Sequence, residues 1–198
     1  MTNIKTICAI LATSFFSLTA VSCKDSKKQP EEQTEMEHDH GNPVPVSRTI
    51  EASAEKNPAT TPLIDAYLQI KNGLVADDKN AAASGGAALA LAFSAFDMTK
   101  LSGNTHDQYM EIMESAKEHG EHIARSDIDH QREHFEALSA DMNDLIALLG
   151  TEKTLYHDFC PMVNDDKGAY WISETEEIKN PYFGAEMSNC GSVKKQTN

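Results

Sequence analysis

Four amphipathic stretches between residues 60 and 150 set the tightest limit on what this chain can fold into. The clearest is the last. It opens at "SDID", carries Ile128, Phe135, Leu138, Met142, Leu145 and Leu149, and stops at Gly150. From Phe135 onward the apolar steps alternate three and four, which is the seam of a helix packed against other helices. Upstream, "TPLIDAYLQIKNGLVADD" places Leu63, Ile64, Tyr67, Leu68, Leu74 and Val75 on one face behind the start signal of Thr61 and Pro62. The next stretch, "DDKNAAASGGAALALAFSAFDMTKL", is alanine-rich and capped by Asp77 or Asp78. Its Gly85 and Gly86 each cost about 1 kcal/mol relative to alanine but permit a close helix approach. Residues 106–125 carry Tyr109, Ile112, Met113, Ala116 and Ile123 in register. Four helices with short connections predict a mainly α fold, an antiparallel four-helix bundle over 60–150.

Residues 151–195 change character. "YHDFCPMV" and "GAYWIS" read as two short strands flanking the turn signal "NDDKG", and "KNPYFG" is a second turn. A lone hairpin is marginal in water. The pair is therefore expected as a small C-terminal β-hairpin and loop flap packed on the bundle, with Phe159, Tyr170, Trp171 and Phe183 buried.

The front of the chain reads as an address. "MTNIK" followed by the apolar "TICAILATSFFSLTAVS" predicts an export signal over 1–22, and small residues run up to Cys23. That spacing is similar to the bacterial lipoprotein signal, in which Cys23 becomes the lipidated first residue. The expected location is the periplasmic side of a bacterial membrane, held by lipid at the outer membrane. Residues 23–59 are polar, proline-bearing and poor in large apolar side chains, the composition of a flexible tether. Within it "MEHDHG" offers His38 and His40 as a weak collector of metal ions. The signal holds Lys5 and no acid, so its removal takes the formal charge from −14 to −15. A chain so acidic is repelled by phosphate backbones, which excludes nucleic acid as a partner.

Of the four cysteines, Cys8 leaves with the signal and Cys23 is spent on lipid, leaving Cys160 and Cys190. They stand in His157-x-x-Cys160-x-Met162 and Met187-x-x-Cys190-Gly191. Thiolate and thioether are soft donors that suit Cu(I) or Ag(I). The competing reading is a Cys160–Cys190 disulfide, which persists in an exported protein. Both remain open on the sequence. Histidines form a second group, His119 and His122 at i, i+3 and His130 and His134 at i, i+4. Such spacings put paired imidazoles on one helix face, as metal sites require, although flanking glutamates and Arg132 make the same stretches read as a solvated face. His134, next to Phe135, is the histidine expected to approach the sulfurs; His157 is the other. No H-E-x-x-H, G-x-S-x-G, phosphate loop or C-x-x-C-H is present, so catalysis is not expected.

"AYLQIKNGLVADD", "SDIDHQREHFEALS", "YHDFCPMVNDDKGAYWISE" and "IKNPYFGAEMSNCGSV" together resemble an uncharacterised exported domain family. That family also occurs appended to heavy-metal (copper/silver) efflux membrane-fusion adaptor proteins. The resemblance covers about residues 60 to 195, with the Cys-Pro-Met and Asn-Pro-Tyr-Phe-Gly runs its most specific parts. It implies handling of copper(I) or another soft metal ion outside the cytoplasm, by sequestration or by delivery to an efflux adaptor or other envelope protein. The alternative expectation is a non-catalytic structural or partner-docking lipoprotein with Cys160 and Cys190 bridged.

Overall fold

The computed structural model describes residues 43–50, 52 and 55–197. The expected signal at 1–22, the expected lipidation site Cys23, and His38 and His40 lie outside the described residues. The described chain is mainly helical with a small three-stranded antiparallel sheet at its C-terminal end.

Helix α1 spans Thr61–Val75 with Pro62 in its first turn, where a missing N–H costs nothing. It buries Leu63, Ile64, Tyr67, Leu68, Ile70 and Leu74. Helix α2, Lys79–Ala95, starts at Asp78, whose carboxylate accepts from the N–H groups of Asn80 and Ala81 at 3.0 Å each. The glycine pair acts as its sequence position suggests. A Cβ on Gly86 would lie 2.4 Å from the Gly120 carbonyl, and one on Gly85 would lie 2.7 Å from the Ile70 nitrogen. Backbone therefore meets backbone on both sides of α2.

Helix α3, Gly103–Arg125, begins three residues before the expected 106. Only Ser126 and Asp127 separate it from α4, Ile128–Leu149, where Asp127 caps the His130 N–H at 3.1 Å. Gly150 ends α4 at φ 78°. In sequence order α1 packs on α2, α2 on α3 and α3 on α4, and α4 also touches α1.

Strands β1 (Leu155–Cys160) and β2 (Ala169–Ser173) form the expected hairpin. Between them Asn164, Asp165 and Asp166 all take positive φ. A third strand, β3 (Ser192–Thr197), pairs with the other side of β1, giving the order β2-β1-β3. "SVKKQT" has no apolar alternation and is almost wholly exposed, so pairing rather than burial recruits it. The outer edge of β2 is closed by two tyrosines. Tyr67 accepts the Ile172 N–H at 3.0 Å, and the Tyr182 hydroxyl donates to the Tyr170 carbonyl at 2.5 Å. Both hydroxyls replace ladder partners that an edge strand otherwise lacks.

Burial in this region corrects one expectation. Trp171 is buried, but Phe159 and Phe183 are only half-buried and Tyr170 is 58% exposed. Alternation on β2 explains it: Ala169 and Trp171 face the helices, so Tyr170 turns outward onto Phe159, ring centroids 4.5 Å apart.

Side-chain amides and charges tie the irregular segments down. Asn180 accepts the N–H groups of Tyr182 and Phe183 and donates to the Cys190 carbonyl, which shapes the "NPYFG" turn. Arg132 of α4 donates to the Pro181 carbonyl and pairs with Asp77, while Asp77 accepts the Ala185 N–H at 2.9 Å. Residues 43–50, inside the stretch read as tether, are fastened to α4 through Arg48, 2.6 Å from Asp141 and 3.3 Å from Asp144.

Candidate metal centre

The sulfurs do not form the centre. Cys160 and Cys190 are joined in a disulfide, with their Cα atoms 5.6 Å apart. Bonded to each other, neither sulfur carries the negative charge of the thiolate that soft-metal ligation needs. Met162 is 49% exposed in the turn after β1. Met187 lies half-buried before Cys190, its carbonyl accepting the Cys190 N–H. His157 is engaged with the Thr197 hydroxyl at 2.9 Å. Of the six residues expected to ligate, the structure therefore joins the two cysteines to each other and carries His134 into a different group.

That group is made of imidazoles. Because α3 and α4 are joined by two residues, positions near the end of α3 face positions near the start of α4. His122 thus comes opposite His130, and His119 opposite His134. One nitrogen each from His122, His130 and His134 lie within 4.8 Å of one another. His122 stacks on His134 with centroids 4.3 Å apart, and His130 meets His134 edge-on at 4.5 Å. In a tetrahedral zinc site, bonds of about 2.0–2.1 Å put ligand nitrogens about 3.3 Å apart, so modest ring rotations close the difference.

The hydrogen bonds fit one set of tautomers for His119, His130 and His134. His130 Nδ1 lies 2.8 Å from Glu133 Oε2 and donates to it, leaving the Nε2 lone pair turned inward. His134 Nε2 is 3.0 Å from that atom and donates to it. His134 Nδ1 then accepts from His119 Nδ1 at 2.9 Å. The chain of four groups is satisfied with every imidazole neutral. Burial holds His134 well below the usual histidine range, at about 3, reinforced by repulsion from His122, His119 and His130. His119 is also lowered by burial, against the pull of Asp141 and Glu118. The uncharged imidazole is the form that ligates a cation, and burial favours it at His134 and His119.

A family model described as "Protein of unknown function (DUF3347)" matches residues 63–154. That span is similar to DUF3347 domains; it runs from the third residue of α1 through α4, takes in all four clustered histidines, and ends before the sheet and both disulfide cysteines. No curated protein and no solved structure matches the chain. Among the described residues no helix is long and apolar enough to cross a membrane.

The sequence showed both histidine pairs; reading them across the short Ser126–Asp127 connection would have joined them. Glu133, three residues after His130, is the signal for an orienting carboxylate that sequence reasoning passed over.

Proposed function

We propose that this protein binds a transition-metal cation through His122, His130 and His134, with His119 and Glu133 orienting the ligands. Copper and zinc suit an imidazole set, copper the more strongly in the divalent series. The observation that carries the reading is the convergence of three imidazoles from two helices around one point. His122 and His130 are partly exposed, so an ion can enter and leave from that side. The reading is of sequestration or hand-over rather than turnover. The export signal and Cys23 support a lipid-anchored protein on the periplasmic side of a membrane, with an efflux adaptor or other envelope protein receiving the ion. The helix packing order supports an antiparallel four-helix bundle as the scaffold.

Chelator competition with Cu(II) and with Zn(II) on the full chain tests the site. One equivalent is expected to bind. The His122→Ala/His134→Ala double variant is expected to lose more than the roughly 10–100-fold that an outer-shell partner commands. Wild-type affinity in that variant rejects the proposal. The disulfide favours a second reading, a structural or partner-docking envelope protein, which stands if the wild-type chain binds neither ion.

A further inference from the structure

A cavity of about 390 Å³ lies between α4 and the sheet, within the roughly 300–1,000 Å³ of small-molecule sites. It shares no residue with the metal centre. Its small lining residues are Ala140 on α4 and Gly168 and Ala169 at the start of β2. Tyr170 and Ile172, two residues apart on one face of β2, add apolar wall, and most of the lining is carbon. Few polar groups line it, among them Ser139, Asn143 and His157.

The chain carries a formal charge of −14, yet two adjacent lysines of β3, Lys194 and Lys195, both line this cavity. Neither has a carboxylate within ion-pair distance among the described residues, and Lys194 Nζ lies over the Phe159 ring, 5.5 Å from its centroid. Lys195 is the cross-strand partner of His157, which puts both side chains on one face of the sheet. The acid that reaches the lining, Glu136, is already engaged by the Asn164 amide at 2.5 Å.

We infer that this cavity binds a small amphipathic anion, an apolar body seated against Ala140, Tyr170 and Ile172 with one carboxylate or sulfonate at Lys194 and Lys195. Charge complementarity selects the anion, because two adjacent lysines with no carboxylate partner offer it a local counter-charge on an acidic protein. Volume limits the body to two or three aromatic rings or one medium-length acyl chain. The apolar wall supplies affinity and the lysines supply orientation, the division of labour usual in such sites.

Trp171 is the only tryptophan of the chain, which makes the site self-reporting. The probe is 1-anilinonaphthalene-8-sulfonate, titrated into the full oxidised chain with energy transfer from Trp171 as the readout. Its uncharged relative N-phenyl-1-naphthylamine serves as control. Saturable transfer is expected for the sulfonate, with the neutral probe at least several-fold weaker. Ala140→Phe fills the void and is expected to abolish transfer, with circular dichroism confirming that the fold persists. Lys195→Glu, a surface change that does not threaten folding, is expected to weaken the sulfonate at least about tenfold, or 1.4 kcal/mol, and leave the neutral probe unmoved. No saturable transfer, or equal sulfonate affinity in wild type and Lys195→Glu, overturns the inference even if Ala140→Phe fails to fold.

Discussion

Reducing the Cys160–Cys190 bridge separates the two chemistries that the sulfurs could serve. The bond closes a loop across a sequence separation of 30, enclosing β2 and the "NPYFG" turn, with Cys190 two residues ahead of β3. The chain-entropy relation assigns such a loop about 3.6 kcal/mol of stabilisation, lost when the unfolded chain regains its freedom. With a urea dependence of about 2 kcal/mol/M for a domain of this size, the midpoint should fall by about 1.8 M. The reduced protein should remain folded. Asn180 still holds the Cys190 carbonyl, and Asp77 still holds Ala185 against α1. Urea titrations followed by Trp171 fluorescence, with and without a phosphine reductant, give the shift directly. Metal titration of the same two samples adds the functional half: imidazole ligation predicts equal Zn(II) affinity in both. A midpoint shift below about 0.5 M refutes the entropic reasoning, because it corresponds to only about 1 kcal/mol. A Zn(II) site that appears only on reduction refutes the imidazole assignment.

Two further changes test the joint between helices and sheet. Tyr67→Phe removes the acceptor of the buried Ile172 N–H and the donor to Ser139, whose own hydroxyl remains on the Phe135 carbonyl. A stability loss of about 1–3 kcal/mol is expected, with faster amide exchange at Ile172; unchanged protection of that amide counts against the edge-capping role. Asp158 is fully buried and both its oxygens lack hydrogen-bond partners. Burial raises its carboxyl from 3.8 to about 7, opposed by Lys71 and weakly by the Trp171 N–H, which falls short of a full hydrogen bond. The folded state therefore keeps a proton that the unfolded chain sheds, so this group makes stability fall as pH rises from about 4 to about 7. Asp158→Asn should remove that decline from a series of urea midpoints, and an undiminished decline in the variant refutes the assignment.

The helices were legible because their information is local. Asp78 and Asp127 cap where such residues should, Gly150 stops α4, and the apolar seam of α4 recurs at helical spacing. The hairpin announced itself through "NDDKG". Strand β3 did not, since its residues stay in water and only the open side of β1 makes them a strand. Arg48 was equally silent: one cation in a polar stretch carries no period, and its partners Asp141 and Asp144 lie more than ninety positions away. At the candidate site, the residue types were visible and their grouping was not. Cysteine flanked by methionine suggests soft-metal chemistry by composition, but whether a thiol stays free depends on whether another comes within bonding distance.

The sequence by itself determined four helices, a following hairpin and an inventory of imidazoles and sulfurs, because each rests on neighbours within a few positions. Tertiary structure alone decided which of those groups meet. It joined Cys160 to Cys190 and set His122, His130 and His134 around one point, because the two-residue link between α3 and α4 folds one histidine pair onto the other.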